Sequence, residues 1–480
     1  MQQSINMDIP KKKNKAMNPI PKVIDQVVNN DMCIGCGLCV YSCPSKAIEM
    51  KWNNYGFLVP ELTGKCDGKE KCIKVCPFNP FPDKAVKTED ELAELFLQET
   101  KQFHKKIGKY ISIYAGYANK FRTTSSSGGL ATYILGELLE KGVVDHIISV
   151  QESQIPNTHY EYALISDKKE LTKSSKTKYY PVTLSEALTK ARNLDGKVAV
   201  IGVACFIKAI RLAQHEEPAL KKKIAFLIGI ICGGVKSRFF TEYLSDRSGV
   251  PPKNCIHPEF RIKDTSSTAS DYSFGCLDKT NQKQSIIKMR KVGDMWGTGL
   301  FKANACDFCD DVTNELADIS LGDAWLTPYV KDGHGTNVIV TRSKLAEDLI
   351  KAGIEERKLD VEELALDRFL ASQKGSFNHR HTGLSTRIQQ AQNKNSLLPP
   401  KRFGDLKIRY DFKIVQLLRM KVRRKSLEVW KTNPSKEYFD ENMEKDLLKL
   451  RRATTVYHRI NLYFWILRNF PSIIRKKLLK

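Results

Sequence analysis

The stretch "CIGCGLCVYSCPSKAI", residues 33 to 48, spaces four cysteines as CxxCxxCxxxC and follows the last with proline. The chain has 13 cysteines in 480 residues. The probability that three further cysteines lie by chance at these set distances from a given cysteine is about 10⁻⁵. Three closely spaced thiolates hold one face of an iron–sulfur cube, and a fourth that faces away serves a second cube. Pro44 ends the loop because it has no backbone N–H to donate. The spacing predicts iron–sulfur ligands and leaves a zinc-binding knuckle as the weaker alternative.

A second half, "CDGKEKCIKVCPF" at residues 66 to 78, repeats the pattern with one cysteine fewer. The repeat predicts a bacterial-type two-cluster ferredoxin domain over residues 29–85, after a disordered basic N-terminus over residues 1–28. One cluster is then a complete 4Fe-4S set, with Cys33, Cys36, Cys39 and Cys76 as ligands. The second has only Cys43, Cys66 and Cys72. It is a three-iron cluster, a four-iron cluster with an oxygen ligand such as Asp67, or a cluster that has been lost.

The composition indicates several globular domains, because 41% of the residues are hydrophobic and 9% are aromatic. The first thirty residues are polar and basic, without the apolar core of a secretory signal. The longest apolar runs, at 224–235 and 460–467, are shorter than the roughly 20 residues that span a bilayer. We therefore expect a cytoplasmic protein without a transmembrane helix. In that reducing compartment, clustered cysteines indicate metal ligands before disulfides.

A loop of three serines and two glycines, residues 125–129, precedes an amphipathic helix that Gly142 ends as a left-handed cap. Hydroxyls and free amides at a helix N-terminus suit an anionic phosphate. The alternative is that the serines only cap the helix.

Two further cysteines follow apolar runs that predict buried strands, in residues 197–213 and 222–240. If these strands are neighbours, Cys205 and Cys232 lie at the carboxyl ends, where open α/β sheets bind ligands. Cys306 and Cys309 add a CxxC pair, so that four thiolates suffice for a third 4Fe-4S cluster. The alternative for each single cysteine is a small buried hydrophobe, and Cys255 and Cys276 fit no spacing.

Together these stretches resemble the family of coenzyme F420 hydrogenase and dehydrogenase beta subunits, from about residue 30 to about residue 345. The resemblance rests on the ferredoxin repeat, "SSSGGL", "IGVACFIKAIR", "IICGGVKSRFFTEYL", "FRIKD" and "CDFCDDVTNELADISLGDAW". It implies an α+β protein in which the ferredoxin domain precedes an α/β flavin-binding domain with mixed sheets. The expected parts of that domain are residues 104–170 and 171–345, followed by a connecting region over 346–400 and a helical basic extension over 401–480.

The resemblance also implies roles for individual residues. Ser126, Ser127, Gly128 and Gly129 would approach the pyrophosphate of FAD, and Lys178 and Tyr179 would lie toward the flavin. Arg261 and Lys263, with Lys178, would be the catalytic cations that stabilise a reduced, anionic ring or an acidic substrate. Cys205, Cys232, Cys306 and Cys309 would hold the inner cluster. Two departures are Ala204, where the family tends to have proline, and Thr177, where serine is usual.

The resemblance implies an iron–sulfur flavoprotein oxidoreductase that passes electrons between ferredoxin-type clusters and FAD. FAD would exchange hydride with a deazaflavin such as coenzyme F420 or with another two-electron carrier. Nothing in the sequence resembles a hydrogenase metal site, so we expect a redox partner protein or a soluble ferredoxin, and a homo-oligomer is a further possibility. The alternatives are a non-enzymatic electron-transfer subunit and a nucleic-acid-binding protein with a structural cluster.

The C-terminal 80 residues contain 22 Lys and Arg against 8 Asp and Glu, which is +14 of the total net charge of +24. Apolar residues at helical spacing predict basic helices there. These helices are expected to pack on their own domain or on another subunit, and otherwise to lie on the inner membrane surface or to bind nucleic acid. His379 and His381, in a polar stretch, are predicted to be solvated loop residues rather than metal ligands.

Overall fold

A computed structural model describes residues 19–478. Most of the predicted disordered N-terminus, residues 1–18, lies outside the described residues. For residues 19–28 the prediction of disorder is wrong, because one π-helical turn forms at Ile24–Val28 and Val23 and Val27 are buried against the cysteine loops. Burial of these two apolar side chains favours an ordered segment, whereas the basic composition had indicated disorder.

The helices and strands follow in chain order. The strands are β1 (Ile48–Trp52), β2 (Leu58–Leu62), β3 (Gln102–His104), β4 (Gly108–Tyr110), β5 (Ser112–Ala118), β6 (His146–Glu152), β7 (Tyr160–Ile165), β8 (Val198–Val203), β9 (Ile224–Ile230), β10 (Cys255–Ile262), β11 (Ser273–Asp278), β12 (Gln284–Lys288), β13 (Ile319–Asp323), β14 (Asn337–Thr341) and β15 (Leu359–Glu363). The α-helices are α1 (Leu38–Tyr41), α2 (Lys71–Lys74), α3 (Glu89–Phe96), α4 (Leu130–Glu140), α5 (Leu171–Ser174), α6 (Ser185–Arg192), α7 (Ala204–Glu216), α8 (Pro218–Lys223), α9 (Arg238–Ser248), α10 (Met289–Val292), α11 (Lys344–Glu355), α12 (Leu366–Ser372), α13 (Lys374–Phe377), α14 (Leu384–Gln392), α15 (Tyr410–Thr432) and α16 (Lys436–Leu478). Short 3₁₀ turns lie at Lys84–Val86, Lys168–Glu170, Pro252–Asn254, Asn304–Phe308 and Tyr329–Lys331, and a second π turn lies at Asn378–Thr382.

The ferredoxin-like part consists of the hairpin β1–β2 and the one-turn helices α1 and α2. The hairpin is antiparallel and pairs Ile48 with Leu62. Each one-turn helix carries one buried cysteine of the repeat, Cys39 on α1 and Cys72 on α2. The two halves therefore use the same local structure to direct their thiols inward.

The largest sheet in the described chain has eight strands in the order β15-β5-β14-β13-β9-β8-β6-β7. β8 pairs in parallel with β9 and β6, and β9 pairs in parallel with β13, whereas β14, β15 and β7 run antiparallel to their neighbours. The sheet is thus mixed, and the predicted neighbouring strands β8 and β9 are confirmed. The carboxyl ends of β5, β6, β8, β9 and β13 meet at one edge of the sheet, where the candidate site lies.

One apolar core joins the ferredoxin-like part to the larger domain. Leu38 of α1 packs in one cluster with Leu184, which precedes α6, with Leu188 of α6 and with Ile207 of α7. The Leu184 amide also donates to the Cys36 carbonyl at 3.0 Å. The cysteine loops are consequently fixed to the sheet domain rather than joined to it by a flexible linker.

The basic extension forms the helix pair α15 and α16, which packs on a second core made by α9 and the sheet β10-β11-β12. Val422, Trp430 and Phe439 are almost fully buried there, and the Trp430 indole N–H donates to Glu242 Oε2 at 2.8 Å. The first part of the tail therefore packs on its own domain, as expected. Across residues 19–478, no helix is both long enough and apolar enough to cross a membrane.

Candidate iron–sulfur and cofactor site

The first set of cysteines surrounds an apolar cavity. Cys33, Cys36, Cys39 and Cys76 line it together with apolar side chains such as Ile34 and Phe78. Burial raises the pKa of the Cys33 thiol to about 12 and that of Cys36 to about 11. Without a bound cation these thiols stay protonated at neutral pH, so a positively charged cluster is the group that suits them as thiolates.

The second set is smaller and nearer the surface. Burial raises the pKa of Cys72, and the thiols of Cys43 and Cys66 raise it further through electrostatic repulsion. The Asp67 carboxylate is engaged in its own turn, where Oδ1 accepts the Lys69 N–H at 3.1 Å. Cys43 and Cys66, the other two cysteines predicted for the second cluster, therefore lie within electrostatic range of Cys72.

The four remaining candidate cysteines meet at the carboxyl edge of the main sheet. Cys205 lies in the first turn of α7 after β8, Cys232 follows β9, and Cys306 and Cys309 lie on or just after the turn Asn304–Phe308. Burial, and then the nearby thiols of Cys306, Cys309 and Cys232, raise the pKa of Cys205 well above its usual range. Backbone N–H groups point at two of the sulfurs, from Gly234 to Cys232 and from Val235 to Cys306, both at 3.2 Å. Such N–H donors stabilise thiolate sulfur, as a cluster site requires.

The inner cysteines lie beside the first set. The Cys36 thiol is close enough to Cys205 to contribute to raising its pKa, and both thiols act in the same way on Tyr162 between the domains. Two groups of four thiols predicted to bind clusters are therefore adjacent, across the core that α1 shares with α7.

Tyr179, one of the residues assigned to the flavin, lies on the side of the inner cysteines where Cys232 is. Tyr179 lies near Arg261, Asp323 and Cys232, each of which acts electrostatically on its phenol. Its ring packs edge-on against Trp296 with the ring centres 4.6 Å apart, and against Phe260 at 5.6 Å. Burial raises the pKa of Tyr179 far above its usual range, so the phenol stays neutral.

Arg261 is buried and is held by a carboxylate that sequence reasoning did not single out. Its Nη1 donates to Asp323 Oδ2 at 2.7 Å, and Asp323 is the last residue of β13. The Arg261 Nε is buried without a hydrogen-bond partner. A carboxylate at the end of a strand of the expected sheet was the signal that could have identified Asp323.

The two candidate lysines bind backbone carbonyls. The Lys178 amine donates to the carbonyls of Ser174 and Ser175 at 2.7 and 2.5 Å, and burial lowers its pKa to about 7. The Lys263 amine donates to the carbonyl of Ser127 at 2.8 Å and also to that of Arg122, and burial lowers its pKa to about 8. Lys263 therefore positions the serine loop and does not lie free beside the aromatic residues.

The serine and glycine loop is largely satisfied by the protein itself. Ser126 Oγ accepts the Thr177 N–H at 2.9 Å, and the Ser127 hydroxyl donates to the Thr336 carbonyl at 3.2 Å. A Cβ on Gly128 would lie 2.7 Å from Asn337 Oδ1, and one on Gly129 would lie 2.7 Å from the Phe121 backbone. Close packing within the chain thus explains both glycines, without a ligand. The buried Ser125 Oγ has no hydrogen-bond partner.

These observations test whether FAD suits the site. Two buried polar atoms, Ser125 Oγ and Arg261 Nε, lack partners that a polar cofactor can provide. A buried arginine with an unpartnered Nε and a wall of aromatic rings are also groups that can bind a flavin nucleotide. The residues present therefore fit the group, although Gly128 and Gly129 have their own structural reason.

The prediction that His379 and His381 are solvated loop residues is wrong. His381 is 3% exposed and stacks on Phe403, and its Nε2 lies 2.9 Å from the Asp310 carbonyl oxygen. His379 is also enclosed, and its Nε2 lies 3.2 Å from the Lys302 amine. Their polar neighbours in sequence suggested a loop, but the segment Asn378–Thr382 packs against the turn that carries Cys306 and Cys309.

That turn is enclosed by cations from the C-terminal third of the chain, which sequence reasoning missed. Arg380 Nη1 lies 3.6 Å from Cys309 Sγ, and Arg423 Nε donates to Asp307 Oδ2 at 2.8 Å. Arg402 binds Glu315 with two hydrogen bonds, at 2.7 and 2.9 Å. No motif announces these partners, and the acid-rich run around Cys309 was the one available signal that cations must lie nearby.

Taken together, a two-cluster ferredoxin fold packed against a mixed α/β domain, with inner thiols between them, defines an iron–sulfur protein of the oxidoreductase class. The chain belongs to the family of coenzyme F420 hydrogenase/dehydrogenase beta subunits. Models of the N-terminal and C-terminal parts of that beta subunit match residues 113–189 and 195–366, and a 4Fe-4S dicluster domain matches residues 26–81. The zinc-binding alternative for the first cysteine run is thereby set aside.

Among the relatives, one component of the F(420)H(2) dehydrogenase of Methanosarcina mazei is 24% identical over 65% of this chain and 82% of its own length. The "Coenzyme F420-dependent sulfite reductase" of Methanocaldococcus jannaschii is 24% identical over 72% of this chain, which covers about half (51%) of that enzyme. One chain of the F420-reducing [NiFe] hydrogenase complex from Methanosarcina barkeri superposes with a TM-score of 0.47 at 19% identity, over 62% of this chain and 99% of its own.

Proposed function

We propose that the protein is an FAD-dependent iron–sulfur oxidoreductase. In this proposal it passes electrons between ferredoxin-type clusters and FAD, and it exchanges hydride with coenzyme F420 or another two-electron carrier. The observation that carries the proposal is the position of the inner cysteines, with Cys36 of the first set near Cys205 and Tyr179 of the candidate flavin site near Cys232. An electron relay needs such a sequence of close neighbours.

FAD, when bound, takes up electrons in pairs and releases them singly, and so connects two-electron carriers to one-electron clusters. The chain's own residues would bind and orient it. Arg261, fixed by Asp323, supplies a cation whose buried Nε has no partner within the chain, and Tyr179 with Trp296 provides an aromatic wall. The Ser125 hydroxyl would donate to a phosphate or ring oxygen.

The names of the relatives support the choice of two-electron carrier. Both relatives are named for F420, and each matches well over half of this chain. In this chain aromatic rings and the Arg261–Asp323 ion pair lie beside Tyr179, and the unpartnered Arg261 Nε suits an anionic group on a planar carrier. A soluble ferredoxin or a partner subunit would exchange electrons at the ferredoxin-like part.

The first experiment is anaerobic purification, with iron, acid-labile sulfide and extractable flavin measured per chain. About one FAD with about eleven or twelve irons is expected. The purified protein is then tested for oxidation or reduction of coenzyme F420 and of nicotinamide cofactors. Iron without flavin would instead support a non-enzymatic electron-transfer subunit, and salt-sensitive DNA or RNA binding without redox activity would support the nucleic-acid alternative.

The inner cluster is tested separately by replacing Cys306 and Cys309 with alanine. The double variant is expected to lose about four irons per chain, because its thiols are half of the proposed ligand set. The matched control is the double variant of Cys255 and Cys276, two buried cysteines that lie outside all three sets. Equal iron content in the two variants would remove the inner cluster from the proposal.

A further inference from the structure

The two cysteine loops can be compared position by position, because the second repeats the first at a constant offset of 33 residues. Cys33, Cys39 and Cys43 correspond to Cys66, Cys72 and Cys76, and a proline follows each loop. Only one ligand position differs. Where the first loop has Cys36, the second has Lys69.

The backbones of the two loops follow the same path. Gly35 and Gly68 have φ angles of 76° and 72°, and Gly37 and Glu70, which precede α1 and α2, have φ angles of 79° and 56°. Glu70 adopts this left-handed conformation although it has a side chain, which is a strained choice for any residue but glycine. Since the loops share these turns, the Lys69 side chain leaves the backbone where Cys36 leaves it in the first loop.

Neither Lys69 nor Asp67 replaces the missing thiolate. An ammonium group has no lone pair for iron, and the Lys69 side chain is 65% exposed, with its Nζ 3.8 Å from Asp67 Oδ2. Asp67 corresponds to Ile34, which lines the first cavity but is not a ligand position there. Its carboxylate already accepts the Lys69 N–H within the turn.

We infer that the second cluster is a three-iron cluster held by Cys43, Cys66 and Cys72, and that Lys69 is the single residue that leaves the fourth iron position empty. The inference rests on the cluster assignment in the proposed function and deepens it. The empty iron position would lie beside the exposed residue Lys69, whereas the ligand Cys36 of the first cluster is buried near Cys205. The two ferredoxin clusters therefore differ in type. Because reduction potential depends on cluster type, they also differ in reduction potential.

The test uses electron paramagnetic resonance on the whole protein and on Lys69→Cys. An oxidised three-iron cluster is paramagnetic and an oxidised four-iron cluster is silent, so the native protein is expected to give the signal of one three-iron cluster per chain. Lys69→Cys, reconstituted with ferrous iron and sulfide, is expected to gain about one iron and lose that signal. Lys71→Cys is the matched control, because Lys71 is the exposed first residue of α2, directly after the loop and at a non-ligand position, and the variant should keep the signal.

Three results would overturn the inference. A silent native protein that acquires the signal only in Asp67→Ala would make Asp67 the fourth ligand. A native protein whose iron content is unchanged in Cys72→Ser would mean that no second cluster forms. A Lys69→Cys variant that keeps the three-iron signal after reconstitution would remove Lys69 from its role. Flavin is measured in the same samples, so the three-iron signal without flavin would count against the proposed function alone.

Discussion

Arg380 lies in a turn beyond the stretches that match the family models, yet its guanidinium reaches the inner cysteines. Nη1 lies 3.6 Å from Cys309 Sγ and donates to the Asp311 carbonyl at 2.8 Å, and Nη2 donates to the Cys232 carbonyl. A buried cation beside a cluster stabilises the more negative, reduced state. Replacing Arg380 with glutamine is therefore expected to lower the reduction potential of the inner cluster by about 50 mV, equivalent to about 1 kcal/mol.

A redox titration followed by electron paramagnetic resonance measures this shift. Arg380→Lys is the control, because it keeps the charge and should retain most of the potential. Iron content should be the same in all three proteins. An unchanged potential in Arg380→Gln at full iron content would show that the guanidinium acts only in packing.

Lys178 predicts a dependence of stability on pH. Its pKa in the folded chain is about 7, below the ordinary value of 10.5, because burial disfavours the charged form. Folding must then release a proton between these pH values, so the lysine destabilises the fold below pH 10.5 and most strongly at pH 7 and below. Lys178→Met is expected to unfold at a higher temperature at pH 7, by at most about 4–5 kcal/mol in free energy, and this advantage should shrink toward pH 10.5.

Thermal melts of the two proteins between pH 7 and 10.5 check this sign. Lys176→Met, a neighbouring and exposed lysine paired with Glu259, is the matched control and should show no such trend. A Lys178→Met advantage that stays constant with pH would mean that the gain comes from packing.

At the scale of elements, α15 and α16 are integral to the fold although they follow the part that resembles the family. Phe439 of α16 is fully buried, stacked on Phe301 with the ring centres 5.1 Å apart, and Phe301 directly precedes the residues that lead to Cys306. Phe439→Ala is expected to destabilise the protein by about 3–5 kcal/mol, because it leaves a cavity between α9 and the helix pair. Phe464→Ala, on the exposed part of the same helix, should cost less than about 0.5 kcal/mol.

Thermal or urea unfolding measures both variants. Equal and small effects would mean that the helix pair is only loosely attached. The far part of α16 differs, since side chains such as Tyr463, Trp465 and Leu467 are exposed among basic residues. Contact of this segment with an anionic membrane surface stays a prediction, which sedimentation with anionic and neutral vesicles can test.

At the scale of the whole molecule, the ferredoxin-like part shares one core with the sheet domain. Leu38, Ile73 and Phe78 pack in the same cluster as Phe206 and Ile210 of α7. We therefore expect cluster loss, read by visible absorbance, and helix loss, read by circular dichroism, to coincide in a single thermal transition. A cluster transition well below the helix transition would show that the ferredoxin-like part unfolds as a separate unit.

Features that depend on local spacing could be predicted from the amino-acid sequence. The offsets among Cys33, Cys36, Cys39 and Cys43, followed by Pro44, predict a cluster loop because neighbouring residues in a short turn can reach only one cube. The apolar runs before Cys205 and Cys232 likewise predicted two buried strands, since strands buried on both faces have such runs, and the structure pairs them in parallel. The left-handed cap at Gly142 was predictable for the same local reason.

Contacts between residues far apart in the chain became known from the folded structure alone. No sequence pattern marks the buried residues Arg380, His381, Arg402 and Arg423. The position of a buried cation depends on the groups that it binds, and these are distant in sequence. Arg380 binds the Asp311 carbonyl, 69 positions away, and Arg423 binds Asp307, 116 positions away. Burial also reversed the interpretation of His379 and His381, because local polarity does not report what a later helix covers. The spacing of nearby residues is visible in the sequence and predicts their shared ligand. The pairing of distant charged residues depends on the free energy of burying them, which is set only when the chain has folded.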